Sequence, residues 1–268
     1  MLSRFATLPG QGPRPGAREV IALLAGLMAL NAFAIDAMIP ALPDIGADLG
    51  IGEENRRQLV IVGYTLGFGF GQLLWGPLAD RFGRKPILAI GITAYVGFAF
   101  FCSAAPSFEA LVAGRMLQGA SAAATRVLVV AMVRDLFEGE AMARVMSLVF
   151  MVFMLVPVLA PSVGQLILRF GPWQAIFWVL GAYGLLMGLW SFFRLPETLH
   201  PQYRRSLAIA DLLYAARAVV TERQSLGYTL AQTAIFAGLV AYISSIQQIV
   251  FDAFQAPQAI GLVFGAVA

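Results

Sequence analysis

Apolar stretches of about twenty residues recur along this chain, and each holds almost no charge. That length lets an α-helix cross a hydrocarbon core about 30 Å thick, at about 1.5 Å of rise per residue. The stretches predict spans at 19–41, 57–77, 86–104, 108–133, 142–168, 173–193 and 226–250, with an eighth beginning near 258. Of 268 residues, 59% are apolar and only 12% are charged, and mean hydropathy is +0.78. The solvent for most of this chain is lipid. Backbone in lipid must satisfy its own hydrogen bonds, so runs of this length predict an all-α integral membrane protein.

Basic residues gather in the links and give the chain its sequence pI of about 9.3. If the links alternate sides, one side receives Arg4, Arg14, Arg18, Arg81, Arg84, Lys85, Arg134, Arg144, Arg194, Arg204, Arg205, Arg217 and Arg223. The other side receives only Arg56, Arg57 and Arg169. The positive-inside rule then places the amino terminus in the cytoplasm. Bilayer topology accounts for the basic balance, so nucleic acid is not an expected partner.

Residues 1–18, rich in Gly, Pro and Arg, read as a disordered basic leader. The apolar run after them is too long for a signal peptide and lacks a small-residue cleavage pattern. Residues 19–194 then form a six-helix bundle, and 195–225 a long cytoplasmic link. Within that link Ile209, Leu212, Leu213, Ala216, Val219 and Val220 keep helical spacing, which predicts a short amphipathic surface helix. Residues 226–268 open a second bundle with span seven and part of span eight. Six spans, a basic link and further spans suggest a six-plus-six architecture. On this reading the chain is a fragment, holding the first half and the start of the second.

Gly63, Gly67 and Gly71 recur every four residues and share one face of span two. Small residues at that spacing permit close helix packing, or a sliding surface for a moving bundle. Span five carries Pro157, Pro161 and Gly164, a set that predicts a helix kink beside a cavity.

Charge inside the spans is rare and therefore informative. Span one holds a single acid, Asp36, about 25 Å along the helix from Glu19. Buried carboxylates mark substrate or proton pathways by default. Arg115 in span four lies about 10 Å deep from the outer side, within reach of that carboxylate. Together they predict a proton-coupling pair in a substrate cavity; a static salt bridge or a hydrated Asp36 is the plainer alternative. Arg126, nearer the cytoplasm, is expected to snorkel toward the interface. Asn31, Gln118 and Gln232 are uncharged polar residues within spans and are either cavity contacts or interhelical hydrogen bonds.

Several classes are excluded. His200 is the sole histidine and Cys102 the sole cysteine, so neither a histidine-cluster metal site nor a disulfide framework can form. The sole lysine, Lys85, lies in a link and cannot carry an intramembrane Schiff base. There is no GxxxxGK[ST] loop for ATP hydrolysis and no TVGYG filter. A nucleophile–base pair for catalysis is also missing. The chain reads as a carrier without cofactor or metal, powered by a gradient or by its substrate.

Two motifs and four further likenesses connect this reading to a family. GPLADRFGRKPIL, from Gly76, resembles the GxLaDrxGrkxxl signature of the major facilitator superfamily, and RMLQG, from Arg115, resembles its RxxQG motif. APSVGQ, from Ala160, is similar to the antiporter motif GPxxGG, with Ala160 and Gln165 departing from it. IDAMIPALP in span one resembles the signature of twelve-span drug:proton antiporters. VRDLFEGEAMARVMS and the PET after span six resemble their bicyclomycin-resistance type.

The resemblance implies two six-helix bundles around a cavity lined by spans one, four, seven and ten, which would bring Asp36 and Arg115 to it. It also implies a conformational latch of Gly76, Asp80, Arg81, Gly83, Arg84 and Lys85, closed by Asp135 at the end of span four. The leading expectation is a proton-coupled exporter of small drug-like compounds, monomeric and multi-pass, in a bacterial inner membrane. A metabolite symporter or facilitator of the same fold is the alternative, and a receptor or scaffold that borrows the fold is a third class.

Overall fold

The structure is a computed structural model that describes residues 16–204, 207, 217 and 221–250. The expected leader (nearly all of it), amphipathic link helix and eighth span lie outside the described residues. Among those described, the helices are α1 Ala17–Asp36, α2 Leu42–Asp48, α3 Glu54–Arg57, α4 Leu59–Phe82, α5 Arg84–Ser103, α6 Phe108–Leu136, α7 Gly139–Phe170, α8 Gln174–Arg194 and α9 Arg223–Gln248. Six membrane-length apolar segments occur among the described residues: α1 continued through α2, α3 continued through α4, and α5 to α8. The helix where span seven was expected, α9, is 26 residues long and is not one of these six.

Helix ends follow local chemistry. Gly83 closes α4 at φ 109, a conformation that side chains disfavour, and its N–H returns to the Ala79 carbonyl at 3.0 Å. Ser107 caps α6 by accepting from the Ala110 N–H at 3.2 Å. The first span, expected as one helix over 19–41, instead stops at Asp36, turns through a short 3₁₀ segment at Ile39–Ala41, and resumes as α2. Pro40 has no N–H to offer the Asp36 carbonyl four residues earlier, and Pro43 none for Ile39.

The core centres on α1 and α6. From α1, Leu23, Leu24, Leu27, Met28 and Leu30 are fully buried, against α6, α7 and α8. The α4–α6 seam is the tightest. Gly63, Gly67 and Gly71 face the main-chain carbonyls of Val112, Met116 and Ala120, so a repeat of four on one helix meets a repeat of four on the other. Gly119 reciprocates against the Tyr64 carbonyl. The glycine face is close packing.

The helices leave two opposite faces. One, here the link face, carries the ends at Ala17, Phe82, Leu136 and Arg194; Asp48, Ser103 and Phe170 lie at the other. At the link face Glu19 accepts from Arg194 Nε at 2.5 Å and Nη2 at 2.7 Å, tying the start of α1 to the end of α8. At the opposite face Asp48 accepts from Trp173 Nε1 at 2.9 Å and Gln174 Nε2 at 3.3 Å, tying α2 to the start of α8.

Candidate functional site

Where α1 breaks, Asp36 is 2% exposed and its Oδ1 has no hydrogen-bond partner. The next residue, Ala37, presents its carbonyl to Gly164 of α7, and Pro40 Cγ lies beside the same glycine. Gly164 and Pro161 are both buried, and α7 stays helical through Pro157 and Pro161. Gly164 of span five thus packs on the break in span one.

Arg115 is fully buried, yet it does not pair with Asp36. Its Nη2 donates to the Ala34 carbonyl at 3.0 Å, its Nε to the Val60 carbonyl at 3.3 Å, and its Nη1 to Gln118 Oε1 at 2.9 Å. The guanidinium lies 4.3 Å from the Tyr64 ring centroid and 5.8 Å from that of Phe177. The expected ion pair between Arg115 and Asp36 is not formed in this structure. Main-chain carbonyls at helix-packing distance use the fork of donors, so Arg115 holds α1 and α4 to α6 through backbone. Gln118 Nε2 is buried without a partner.

Asn31 joins the same three helices. Its Nδ2 donates to Thr125 Oγ1 at 2.7 Å, and its Oδ1 accepts from the Tyr64 hydroxyl at 3.4 Å. Gln232 is exposed on α9 and makes no hydrogen bond with this cluster. Arg126 does not snorkel. Its guanidinium stands 5.2 Å from the ring centroid of Phe153 on α7 and 5.4 Å from that of Phe236 on α9. Helical side chains lean toward their helix N-terminus, and for α6 that end lies away from the link face.

At the link face Arg84 joins two acids, donating from Nη1 to Asp80 and from Nε to Asp135 Oδ2 at 3.3 Å. A third acid completes this cluster. Glu197 Oε1 accepts from the Arg84 N–H at 2.9 Å and the Leu199 N–H at 2.9 Å, and Oε2 from the Lys85 N–H at 3.2 Å. A carboxylate from the chain beyond α8 thus caps the first amides of α5, where the helix dipole favours negative charge. Thr198 Oγ1 donates to Asp135 Oδ2 at 2.8 Å. A Cβ at Gly83 would strike the Glu197 carboxylate, so glycine is needed there twice over. Among the expected latch members, Lys85 lies over the Phe192 ring at 5.3 Å, Arg81 is exposed and has no partner among the described residues, and Gly76 faces Val127.

Residues 24–268 match the family model described as Major Facilitator Superfamily. The chain belongs to the Major Facilitator Superfamily. Among its curated relatives are a bicyclomycin resistance protein homolog of Haemophilus influenzae, 35% identical over 82% of this chain and 55% of that protein, and multidrug resistance protein MdtL of Klebsiella pneumoniae, 31% identical over 84% and 58%. The chain therefore spans a little over half the length of these relatives. The crystal structure of the human organic anion transporter MFSD10 (TETRAN) superposes with a TM-score of 0.71 at 22% identity, covering 95% of this chain and 70% of that one, which supports the fold.

The superfamily's first motif and its span-four motif supply two of the clusters above, around Arg84 and Arg115. Glu197 was missed as a functional residue. Its signal lies in the PET after span six, which resembles the bicyclomycin-resistance type, but no sequence spacing shows that it caps α5.

Proposed function

We propose that this chain is part of a secondary active exporter that moves small drug-like molecules out in exchange for protons entering down their gradient, by alternating access. The observation that carries this reading is Asp36, a carboxyl enclosed by protein at a helix break, with one oxygen that no donor occupies. An oxygen so placed can hold a proton and release it when the break rearranges, without an ion partner to displace. Broken helices are a recurring device of secondary transporters, because freed backbone can be satisfied only beside protein or a cavity. The bicyclomycin-resistance and multidrug-resistance names of the relatives support drug-like substrates.

In this reading the link face is cytoplasmic, which the excess of Arg and Lys in its links supports, and the membrane is a bacterial inner membrane. The Asp80–Arg84–Asp135 cluster with Glu197 is the latch that holds one state of the cycle. Protons and a small-molecule substrate are the partners, the working unit is a monomer, and no cofactor takes part. The protein performs no covalent chemistry.

The test is Asp36→Asn in the full-length protein, in inverted membrane vesicles given a fluorescent drug-like compound that the wild type takes up. Transport driven by a pH gradient is lost, while substrate exchange without a gradient persists. Undiminished gradient-driven transport by the variant removes Asp36 from the coupling step.

A further inference from the structure

Arg126 is a cation that the proposed mechanism does not use. It lies ten residues from the end of α6, about 15 Å from the link face by helical rise, near the middle of a core about 30 Å thick. Phe153 and Phe236 flank it, and no carboxylate among the described residues pairs with it. Its Nη1 is buried with no hydrogen-bond partner. Ring faces attract the charge but accept little from the guanidinium's in-plane N–H groups, which remain free for a planar oxyanion. An unneutralised cation at this depth is costly, and the cost falls when an anion arrives.

We propose that Arg126, Phe153 and Phe236 form a subsite for the carboxylate of an aromatic organic acid. The carboxylate takes the guanidinium fork, and the ring it carries packs on the phenylalanines. Gln232, one helical turn before Phe236 on α9, is placed to accept or donate at the rim. Because Phe153 belongs to α7 and Phe236 to α9, the ligand bridges the six-helix unit and the helix beyond the link. The depth sets a dissolved acid apart from a lipid phosphate, whose headgroup stays at the edge of the core. This deepens the exporter reading by naming a substrate class, and its test measures binding alone.

The probes are 1-naphthoate, 1-naphthamide and 1-naphthylmethylamine, titrated calorimetrically into the full-length protein in phosphatidylcholine nanodiscs. The wild type binds the acid at least tenfold more tightly than the amide, and the amine most weakly. Arg126→Gln abolishes the preference for the acid over the amide, Arg126→Lys keeps part of it, and Phe153→Leu weakens acid and amide together. Equal affinity for acid and amide in the wild type overturns the proposal. So does an unchanged preference in Arg126→Gln. Loss of gradient-driven transport in Asp36→Asn with the binding pattern intact separates the two readings.

Discussion

Gly164 of α7 lies against the main-chain carbonyl of Ala37, one residue past the Asp36 carboxyl. A methyl group at 164 would overlap that oxygen and stand 3.0 Å from Pro40 Cγ, and neither neighbour is the loose end of a flexible chain. Gly164→Ala therefore separates α7 from the break. A loss of about 1–3 kcal/mol of stability is expected, as for other overpacked sites, with reduced transport that temperature does not rescue. Wild-type unfolding and transport by this variant would detach the Asp36 site from α7.

The α4–α6 seam makes a graded prediction. A Cβ at Gly67 or Gly71 collides with backbone on α6, one at Gly63 reaches Val112 atoms at 3.2 Å, and one at Gly69 meets open space. Gly67→Ala and Gly71→Ala should each cost about 1–3 kcal/mol, Gly63→Ala less, and Gly69→Ala no more than about 0.5 kcal/mol either way. Unfolding midpoints in one detergent check the order. Equal midpoints for Gly67→Ala and Gly69→Ala would mean the seam yields freely, as a sliding surface should.

Much of this is legible in the sequence. Apolar length located the six segments because hydrocarbon thickness leaves little choice, and a four-residue glycine repeat can only mark one helix face. The acid, the arginine and the polar residues of spans one and four were visible as exceptions to that rule. Partner choice was not. Arg115 and Asp36 are at compatible depths, yet depth says nothing of rotation about the helix axis, and the Ala34 and Val60 carbonyls are invisible in a list of side chains. The same blindness hid Glu197, whose partners are the Arg84 and Lys85 amides. Arg126 failed for another reason: snorkelling assumes a free path to the interface, and its guanidinium has aromatic neighbours instead.

Arg115 yields a prediction that divides backbone tethering from proton coupling. Arg115→Gln leaves the Ala34 and Val60 carbonyls without their donor, at about 1–3 kcal/mol for each buried group left unsatisfied. The variant should unfold at lower temperature even when Asp36 is already Asn, with the two losses adding. Arg115→Lys, with a compact ammonium in place of the fork, should recover only part of the stability. If Asp36→Asn instead cancels the effect of Arg115→Gln, the two residues act as an ion pair after all.

The last prediction concerns Glu197, which joins the chain beyond α8 to the first turn of α5. Glu197→Gln keeps one acceptor oxygen for the Arg84, Lys85 and Leu199 amides but removes the charge at the helix start, so a small loss of stability is expected. The effect on cycling should be larger than the effect on folding. Asp80, Arg84 and Asp135 remain, but the segment that also brings Thr198 to Asp135 is held less firmly, and the cluster opens more readily. In the full-length protein, substrate affinity should stay near wild type while the rate of gradient-driven transport changes several-fold. Reaction of a cysteine reporter placed at Gln72, partly buried on α4, should track the shift between states in the same variant. Arg84→Gln, which removes the centre of the cluster, should shift the reporter in the same direction and further. An unaltered reporter in both variants, with binding intact, would reduce the whole cluster to a helix cap.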